Sequence, residues 1–409
     1  MRMRNTLFCF FCLFSSAIYG QDIVEESLFS DIYTINPEKE GAVELSLDNL
    51  SFLKDNETDP IIVKGYTLPG IRLNPHIIYY PLPMVKLEAG LSLLKYWGAN
   101  KYPNHAYRDI ADWKADGYQI GFHFLPFFRA QVQPIPQLNI VMGNIYGGSN
   151  HRLIEPLYYP ELNLTADPEM GIQFLYDSKI VHFDAWINWE SFAFRNDTHN
   201  EAFTVGVSSC FHMSQSQSPF YLEIPIQALA THRGGEIQDI HQGILTHVNA
   251  YTGLRFGFNS MKNSFNKIEL TVLGGGFTSH ASEVFVLPFT KGWAFYSNIH
   301  AWVRNFQLQM GYWQSSDFVN ILGNPIFGNE SASFSNETFA RVTVWHPSIK
   351  YEYSISKGVY LGADFDYYYN PRLTVYENSE TPVKISSSGN CTFGFYLRIN
   401  PTIVLKEKK

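Results

Sequence analysis

The sequence contains few charged residues and, after its first twenty residues, no long apolar run. Charged residues make up 17% of the 409 residues, whereas hydrophobic residues make up 45% and aromatic residues 16%. A membrane-spanning helix needs about 20 consecutive apolar residues. Disordered chains combine low hydrophobicity with high net charge. The composition therefore excludes a helical membrane protein and a disordered chain, and leaves a β-rich protein as the class to test.

Cysteine and basic clusters are also scarce. Two of the four cysteines, Cys9 and Cys12, lie in the apolar N-terminal segment, so Cys210 and Cys391 can form one disulfide at most. A disulfide framework for a small secreted domain is therefore excluded. The net charge is −8, and the only basic cluster lies at the C-terminus, which argues against nucleic acid as a partner.

The N-terminus has the pattern of a secretory signal. A basic start is followed by apolar residues 7–14 and by small residues up to Gly20, which predicts a signal peptide over residues 1–20. Residues 21–40 are polar and acidic without periodicity and predict a flexible periplasmic lead-in. Alternation then extends over residues 41–403, and residues 404–409 form a basic tail.

Residues 349–369 alternate apolar and polar side chains on both sides of a Ser-Lys-Gly turn, which is typical of a β-hairpin. In a strand, alternate residues point to opposite faces. One face is apolar and contains Ile349, Tyr351, Tyr353, Ile355, Val359, Leu361, Ala363, Phe365, Tyr367 and Tyr369. The other face is polar and contains Lys350, Glu352, Ser354, Tyr360, Gly362, Asp364 and Asp366.

The same alternation predicts about sixteen strands, and the connections between them alternate between short and long. The long connections are 53–65, 98–117, 147–169, 191–201, 232–245, 277–291, 314–338 and 370–391. An up-and-down meander places all short turns at one end and all long loops at the other, as transmembrane barrels do.

In this organisation the chain resembles the Gram-negative outer-membrane porin superfamily of the general-diffusion type. The resemblance covers residues 41–403 and rests on organisation, not on a residue motif. It implies an all-β, antiparallel up-and-down transmembrane barrel with short periplasmic turns, long extracellular loops and an outer-membrane location. It further implies passive diffusion of small hydrophilic solutes, contact with outer-membrane lipid, a possible homo-oligomer, no cofactor and no enzymatic activity.

Candidate site residues follow from the polar face and from the third long loop, which narrows the lumen in the porins. We expect that loop, residues 147–169, to enter the barrel, because it is too apolar to extend freely into water. The predicted pore-lining residues are Arg72, Lys86, Glu88, His123, Arg129, Asp184, Glu190, Glu223, Arg255, Glu269, Arg341, Glu352, Asp364, Asp366 and Arg398. The predicted constriction residues are Arg152, Glu155, Tyr158 and Glu161, and we expect Arg152, Glu155 and Glu161 to face Arg129 and Arg255 across the pore.

No metal or catalytic residues are predicted. His232, Glu236, Asp239 and His241 lack the spacing of a rigid metal motif, and residues 206–210 lack the second glycine of a serine-hydrolase turn. An enzyme in the barrel wall would need a serine, a histidine and an amide to converge from separate strands.

Two further alternatives are open at this stage. A secreted, soluble glycan-binding β protein would also alternate, and a closed outer-membrane barrel could act as an adhesin or as a subunit of an uptake complex. Aromatic residues near strand ends on the apolar face, such as Tyr118, Trp189 and Tyr353, favour the interfacial girdles of a barrel.

Overall fold

The structure is a computed structural model. It describes residues 27–97, 123–192, 199–214, 218–235, 243–262, 265–282, 287–334, 337–377 and 381–407. Residues 1–26 lie outside these ranges, so the signal peptide stays a prediction. Within the described part of the chain, no helix combines the length and apolar composition needed to cross a membrane.

Alternating sequence dominates the chain, and almost all of the regular structure is β-strand. The strands are β1 Val43–Glu57, β2 Tyr66–Leu82, β3 Val85–Tyr96, β4 His123–Ile135, β5 Leu138–Asn144, β6 Met170–Asp177, β7 Val181–Ser191, β8 Ala202–His212, β9 Phe220–Arg233, β10 Leu245–Lys262, β11 Phe265–Ala281, β12 Lys291–Val303, β13 Phe306–Ser316, β14 Glu337–Phe339, β15 Val342–Ser356, β16 Val359–Glu377, β17 Thr381–Ile399 and β18 Thr402–Lys406. Short helical turns cover Pro37–Lys39, Gly148–His151, Leu162–Thr165 and Pro325–Phe327.

The sheet closes on itself. Each long strand pairs antiparallel with its neighbours, and β1 pairs with both β2 and β17, so that Leu50 lies opposite Arg72 on one side and opposite Arg398 on the other. The short strands β14 and β18 pair with β16 and β1 without contributing to closure. The remaining strands form a closed barrel of sixteen, which confirms the predicted all-β fold and strand number.

Three expectations about strand boundaries need correction or stay open. Most of the connection expected over 370–391 is strand, because β16 continues to Glu377 and β17 begins at Thr381, beyond their apolar parts. The sheet also reaches Lys406 through β18, so part of the predicted basic tail is a strand. Residues 118–122, which we assigned to the fourth strand, lie outside the described residues.

Large apolar side chains cover the outer face of the barrel. Phe128 and Phe395 are 53% and 57% exposed in the isolated chain, and similar residues occur on nearly every strand. A soluble protein rarely exposes such a continuous apolar surface, whereas lipid contacts it at no cost. The outer face therefore contacts membrane lipid, and the soluble glycan-binding alternative is excluded.

The inner face of the barrel wall is polar, in contrast to the apolar outer face. Buried polar side chains line it, including Gln131, Asp184, Asn249 and Asn390. Three segments enter this space: the lead-in from Ser27, the loop between β5 and β6, and the loop that follows β13. Apolar residues of both loops, such as Leu157 and Phe318, form one buried cluster with inward residues of the wall such as Trp313.

The lead-in differs from its predicted flexible form. Phe29 packs edge-on against Tyr396 of β17, with ring centroids 5.1 Å apart. Further along, the Tyr33 hydroxyl donates a hydrogen bond to Asp177 of β6 at 2.6 Å. Residues 27–33 thus cross the interior from one wall to the opposite wall. The expectation of a free segment is wrong for these residues, because their aromatic side chains find apolar partners inside the barrel.

Candidate functional site

The loop of residues 145–169 is docked inside the barrel, as its apolar content predicts. Leu157 is fully buried. Gln227 of β9 accepts a hydrogen bond from the Ile154 backbone N–H at 3.0 Å and donates one to the Arg152 carbonyl at 2.9 Å. On the other side, the Tyr96 hydroxyl donates to the Leu164 carbonyl at 3.1 Å. The loop therefore spans the interior between β3 and β9.

His151 is a fully buried ionisable side chain of this loop. It ends the short turn Gly148–His151, and Arg152 follows it in the left-handed conformation with φ 54°. Its Nδ1 lies 2.7 Å from Oδ2 of Asp184 on β7, and its Nε2 lies 3.1 Å from Oε2 of Glu169. The ring also stacks on Trp186 at 3.5 Å between centroids. Loop and wall together thus fix an imidazole between two carboxylates.

The charge state of this group follows from its surroundings. Burial alone would lower the pKa of His151, but the carboxylates of Glu169 and Asp184 more than offset burial and raise that pKa to about 9. Burial would raise the pKa of Glu169, yet the imidazolium of His151 holds it below its usual value. At neutral pH His151 is therefore an imidazolium that lies between the side chains of Glu169 and Asp184, and the three side chains form a row. We call them the His151 array.

A cavity of about 140 Å³ adjoins this array. Glu169 lines it, together with Arg72 and Asn74 of β2. Arg72 donates through one terminal nitrogen to the Ala166 carbonyl, but its Nε forms no hydrogen bond with the described residues, and neither does Oδ1 of Asn74. An unpaired buried donor and an unpaired buried acceptor are costly unless something else binds them. With about 140 Å³ beside the Glu169 carboxylate, the cavity has room for a small polar group.

A second, larger cavity of about 340 Å³ lies between the loop and strands β15 to β17. Glu161 and Tyr159 of the loop line one side, and residues 27–30 of the lead-in line another. On the wall, the Lys54 ammonium lies 2.8 Å from Asp364 and 3.9 Å from Asp366. Charged groups of both signs line this chamber, beside apolar residues such as Phe29 and Leu164.

The structure places fourteen of the fifteen predicted pore-lining residues on the inner face. They are Arg72, Lys86, Glu88, His123, Arg129, Asp184, Glu190, Glu223, Arg255, Glu269, Glu352, Asp364, Asp366 and Arg398. Arg341 is the exception, since it is exposed between β14 and β15. Their role in lining a pore stays a prediction.

Most of these charges pair with one another along the wall. Glu88 contacts both Lys86, at 2.7 Å, and Arg129, at 3.0 Å. Arg398 similarly binds Asp48 at 2.8 Å and also Asp31 of the lead-in. Such pairs neutralise charge locally and leave a weaker field across the lumen than unpaired charges would produce.

The acidic residues of the loop do not face Arg129 and Arg255 as expected. Glu155 accepts a hydrogen bond from the Tyr368 hydroxyl of β16 at 2.6 Å. Glu161 accepts one from Asn56 of β1 at 2.6 Å and another from Tyr159 at 3.2 Å. That expectation is wrong because both carboxylates bind hydrogen-bond donors elsewhere, on β16, on β1 and within the loop itself.

Sequence reasoning missed the role of His151 and Glu169, although both lie in the loop it singled out. Asp184 was identified only as an inward charge. These residues are separated by 15 or more positions and lie on different elements, so no spacing motif links them. The available signal was the position of a histidine within an apolar loop expected to be buried, since a buried imidazole requires polar partners.

A closed barrel with an apolar outer band and a polar inner wall is typical of one class of protein, the transmembrane β-barrels. The chain is an antiparallel β-barrel of the Gram-negative outer membrane, as its sequence organisation predicts. Residues 35–408 match the family model described as "Lipid A 3'-O-deacylase-type". This match covers every strand of the barrel, and the chain belongs to that family.

Solved outer-membrane barrels are similar at low sequence identity. OccK8 (OprE) of Pseudomonas aeruginosa is 10% identical with a TM-score of 0.48, and the match covers 89% of this chain and 100% of that one. OccAB3 of Acinetobacter baumannii is 10% identical with a TM-score of 0.44, covering 88% and 99%. No curated protein sequence matches the chain.

Membership of this family corrects the expectation about enzymatic activity. The sequence organisation predicted a protein without enzymatic activity, and this prediction is wrong because the family to which the chain belongs is a deacylase family. Passive solute diffusion and homo-oligomer formation stay predictions.

Proposed function

We propose that this protein is an outer-membrane esterase that removes the 3'-O-linked acyl chain of lipid A. The observation that carries the proposal is the family match over residues 35–408, which includes every strand of the barrel and the inward loop. The location is consistent with the substrate, because lipid A forms the outer leaflet of the membrane that the barrel spans. Hydrolysis of an ester consumes one water and yields a fatty acid and a free hydroxyl.

The His151 array is our candidate for proton transfer in this reaction. Glu169 separates the imidazole from the 140 Å³ cavity, so a water in that cavity would lie beside a carboxylate backed by a cation. The carboxylate accepts a proton as the water attacks the ester carbonyl, and the array returns a proton to the departing sugar oxygen. Positioned proton transfer of this kind contributes roughly 10²- to 10⁴-fold to rate.

Arg72 is the candidate for stabilising the negative charge that develops on the carbonyl oxygen. Its side chain lines the cavity that Glu169 also lines, and its Nε is buried without a partner in the described residues. A preorganised donor in a site with little water stabilises an oxyanion more than it would in bulk solvent. In this proposal the ester enters from the end of the barrel that carries the long loops, which faces the outer leaflet.

A second candidate centre for the same activity lies on the outer face. His232 and Thr246 are register partners on β9 and β10, and Nδ1 of His232 lies 2.9 Å from the Thr246 hydroxyl. The imidazole also stacks on Phe203, which stacks on Trp189. This row lies near the long-loop end and faces lipid, and a base beside a hydroxyl is the arrangement of an activated nucleophile.

The protein is expressed in cells whose own enzymes leave lipid A fully acylated, and lipid A is then extracted from those cells. We expect mass spectrometry to show loss of the 3'-O-linked acyl chain with the wild type. His151→Gln and Glu169→Gln should lower the rate at least about 100-fold if the His151 array transfers the proton. His123→Gln is the matched control, because His123 faces the interior and contacts an acidic residue, Asp167, at 3.2 Å, but is not fully buried.

The outcomes separate the parts of the proposal. A wild type that leaves lipid A intact would refute the deacylase function. Activity retained in folded His151→Gln and lost in His232→Gln would move the catalytic centre to the outer face. The shift in gel mobility between unheated and boiled samples reports folding of each variant, since closed barrels resist denaturation.

Passive diffusion of small hydrophilic solutes is a second candidate function. The specific observation in its favour is the chamber of about 340 Å³ lined by Lys54, Asp364 and the inward loop. Swelling of liposomes that contain the purified barrel, with sugars of increasing size, measures this activity independently of lipid A chemistry.

A further inference from the structure

Three side chains with metal-binding atoms meet on the inner face where β8 and β9 approach their short turn. Cys210 and His212 are two residues apart on β8 and therefore share a face. Glu223 of β9 is the register partner of His212. The short-turn end of an outer-membrane barrel faces the periplasm. The cluster thus lies far from the long-loop end and apart from the His151 array.

The three donor atoms are already gathered. Sγ of Cys210 lies 3.4 Å from Oε2 of Glu223, Nδ1 of His212 lies 2.9 Å from Oε1 of Glu223, and all three donor groups lie within 4.8 Å of one another. Metal–ligand bonds of about 2.0 to 2.3 Å in a tetrahedral zinc site place the donors about 3.5 Å apart. The spacing therefore requires only small side-chain movements to accommodate an ion.

We propose that Cys210, His212 and Glu223 bind a divalent metal ion of the zinc class. Thiolate, imidazole and carboxylate are the ligands that zinc takes in proteins, and a set of three leaves a fourth position open. The two strands that carry them are paired in a closed sheet, so the ligands are held in place before the ion arrives.

The hydrogen bonds to Glu223 lie where the ion would bind, because the ion replaces the protons that now join these groups. Without metal, the Cys210 thiol and the His212 imidazole contact the two oxygens of Glu223. When the ion binds, the thiol releases its proton to solvent, and the imidazole carries its proton on Nε2 so that Nδ1 is free to bind. One proton is released, and the thiolate and the carboxylate balance the two positive charges of the ion.

Arg255 is compatible with this arrangement. Its guanidinium lies 3.1 Å from Oε2 of Glu223 and also contacts Thr271 at 3.4 Å. The ion can take Oε1 while Arg255 keeps Oε2. Binding of the ion with release of one proton raises the charge of the cluster by one, from the negative charge of the Glu223 carboxylate to zero. Arg255 therefore faces a neutral cluster rather than a positive one, and it orients the carboxylate as a second layer of support.

The experiment uses the protein purified from outer membranes in detergent, treated with a chelator and dialysed. Cobalt is the probe, because a cobalt–thiolate bond gives an intense near-ultraviolet charge-transfer band. We expect this band at one ion per chain, its loss when zinc is added, and release of about one proton per zinc ion in weak buffer.

Variants provide the controls. Cys210→Ser should abolish the near-ultraviolet band, and His212→Gln should weaken binding at least about tenfold. Cys391→Ser is the matched control, since Cys391 pairs with Tyr367 on the outward face of β17 and should leave the band unchanged. A band that persists in Cys210→Ser, or no band in the wild type, would overturn the proposal.

Discussion

Nδ1 of His151 lies 2.7 Å from Oδ2 of Asp184, and both side chains are fully buried. This contact joins the inward loop to β7 through a protonated imidazole. The loop is therefore attached to the wall by a group whose charge depends on pH, in addition to its apolar contacts.

We predict that the loop loosens in alkaline solution. The pKa of His151 is raised from 6.5 to about 9 in the folded state, so the stabilisation is fully present below about pH 6.5 and is lost as pH rises through 9. A shift of this size corresponds to roughly 3 kcal/mol. Trypsin cleavage after Arg152, divided by cleavage after the exposed Lys64, should rise between pH 8 and 10.

His151→Gln is the control for this experiment. The variant has no ionisable group at the position, so its cleavage ratio should be nearly independent of pH over the same interval. A wild-type ratio that is the same at pH 7 and pH 10 would show that the imidazolium does not hold the loop.

We predict that Leu361→Arg destabilises the barrel, whereas Leu361→Phe does not. Leu361 lies on the outer face of β16 and is 45% exposed in the isolated chain. An arginine facing lipid costs about 2 to 4 kcal/mol at the membrane midplane and less near the interface. Reversible urea unfolding in lipid vesicles measures the difference. Equal stability of the two variants would mean that this position does not face lipid.

Asp364→Arg should also destabilise the protein, although the alternation alone suggested that this inward position would tolerate arginine. The Asp364 carboxylate lies 2.8 Å from the Lys54 ammonium and accepts a hydrogen bond from the Tyr396 hydroxyl at 2.7 Å. An arginine there would face the lysine and leave the hydroxyl without its acceptor. Asp364→Asn, which keeps the acceptor, should lose less stability in the same unfolding assay.

Leu361 and Asp364 show how much of the fold can be predicted from the sequence. Strict alternation assigned Leu361 to lipid and Asp364 to the interior, because lipid selects an apolar residue at every second position. The extensions of β16 and β17 were read as a loop since they carry outward polar residues such as Arg372, which do not contact lipid. Alternation between apolar and polar residues disappears where both faces meet water.

The site was less predictable than the barrel for a different reason. The contacts of Glu155 with Tyr368, and of the lead-in residue Phe29 with Tyr396, join segments separated by more than 200 residues. Local patterns carry no information about such pairings. Sequence could identify the loop as too apolar to be free, but not which wall it would contact.

We predict that the protein runs faster on a gel when unheated than when boiled. A closed sheet has no free edge, because β1 pairs with β17, so detergent alone does not open it. Deleting residues 381–407 removes β17 and should abolish this difference. Identical mobility of the unheated and boiled wild type would contradict a closed barrel.

The last prediction concerns the size of the passage through the barrel. The loop of residues 145–169 spans the interior and carries Leu157 in its buried cluster, so it occupies space that a solute would need. Deleting residues 152–167 should raise single-channel conductance and admit larger sugars in a swelling assay. Leu157→Asp is a milder version, since a carboxylate in that apolar cluster would favour undocking of the loop.

A control keeps this test separate from general damage to the barrel. The loop ends at β5 and β6, whose pairing Leu138–Tyr176 through Asn144–Met170 does not involve the deleted residues, so the wall should still close. Gel mobility of the deletion variant checks closure directly. If the variant is closed and its conductance and sugar cutoff match the wild type, the constriction lies elsewhere, and the loop after β13, which packs Phe318 against Trp313, becomes the segment to remove.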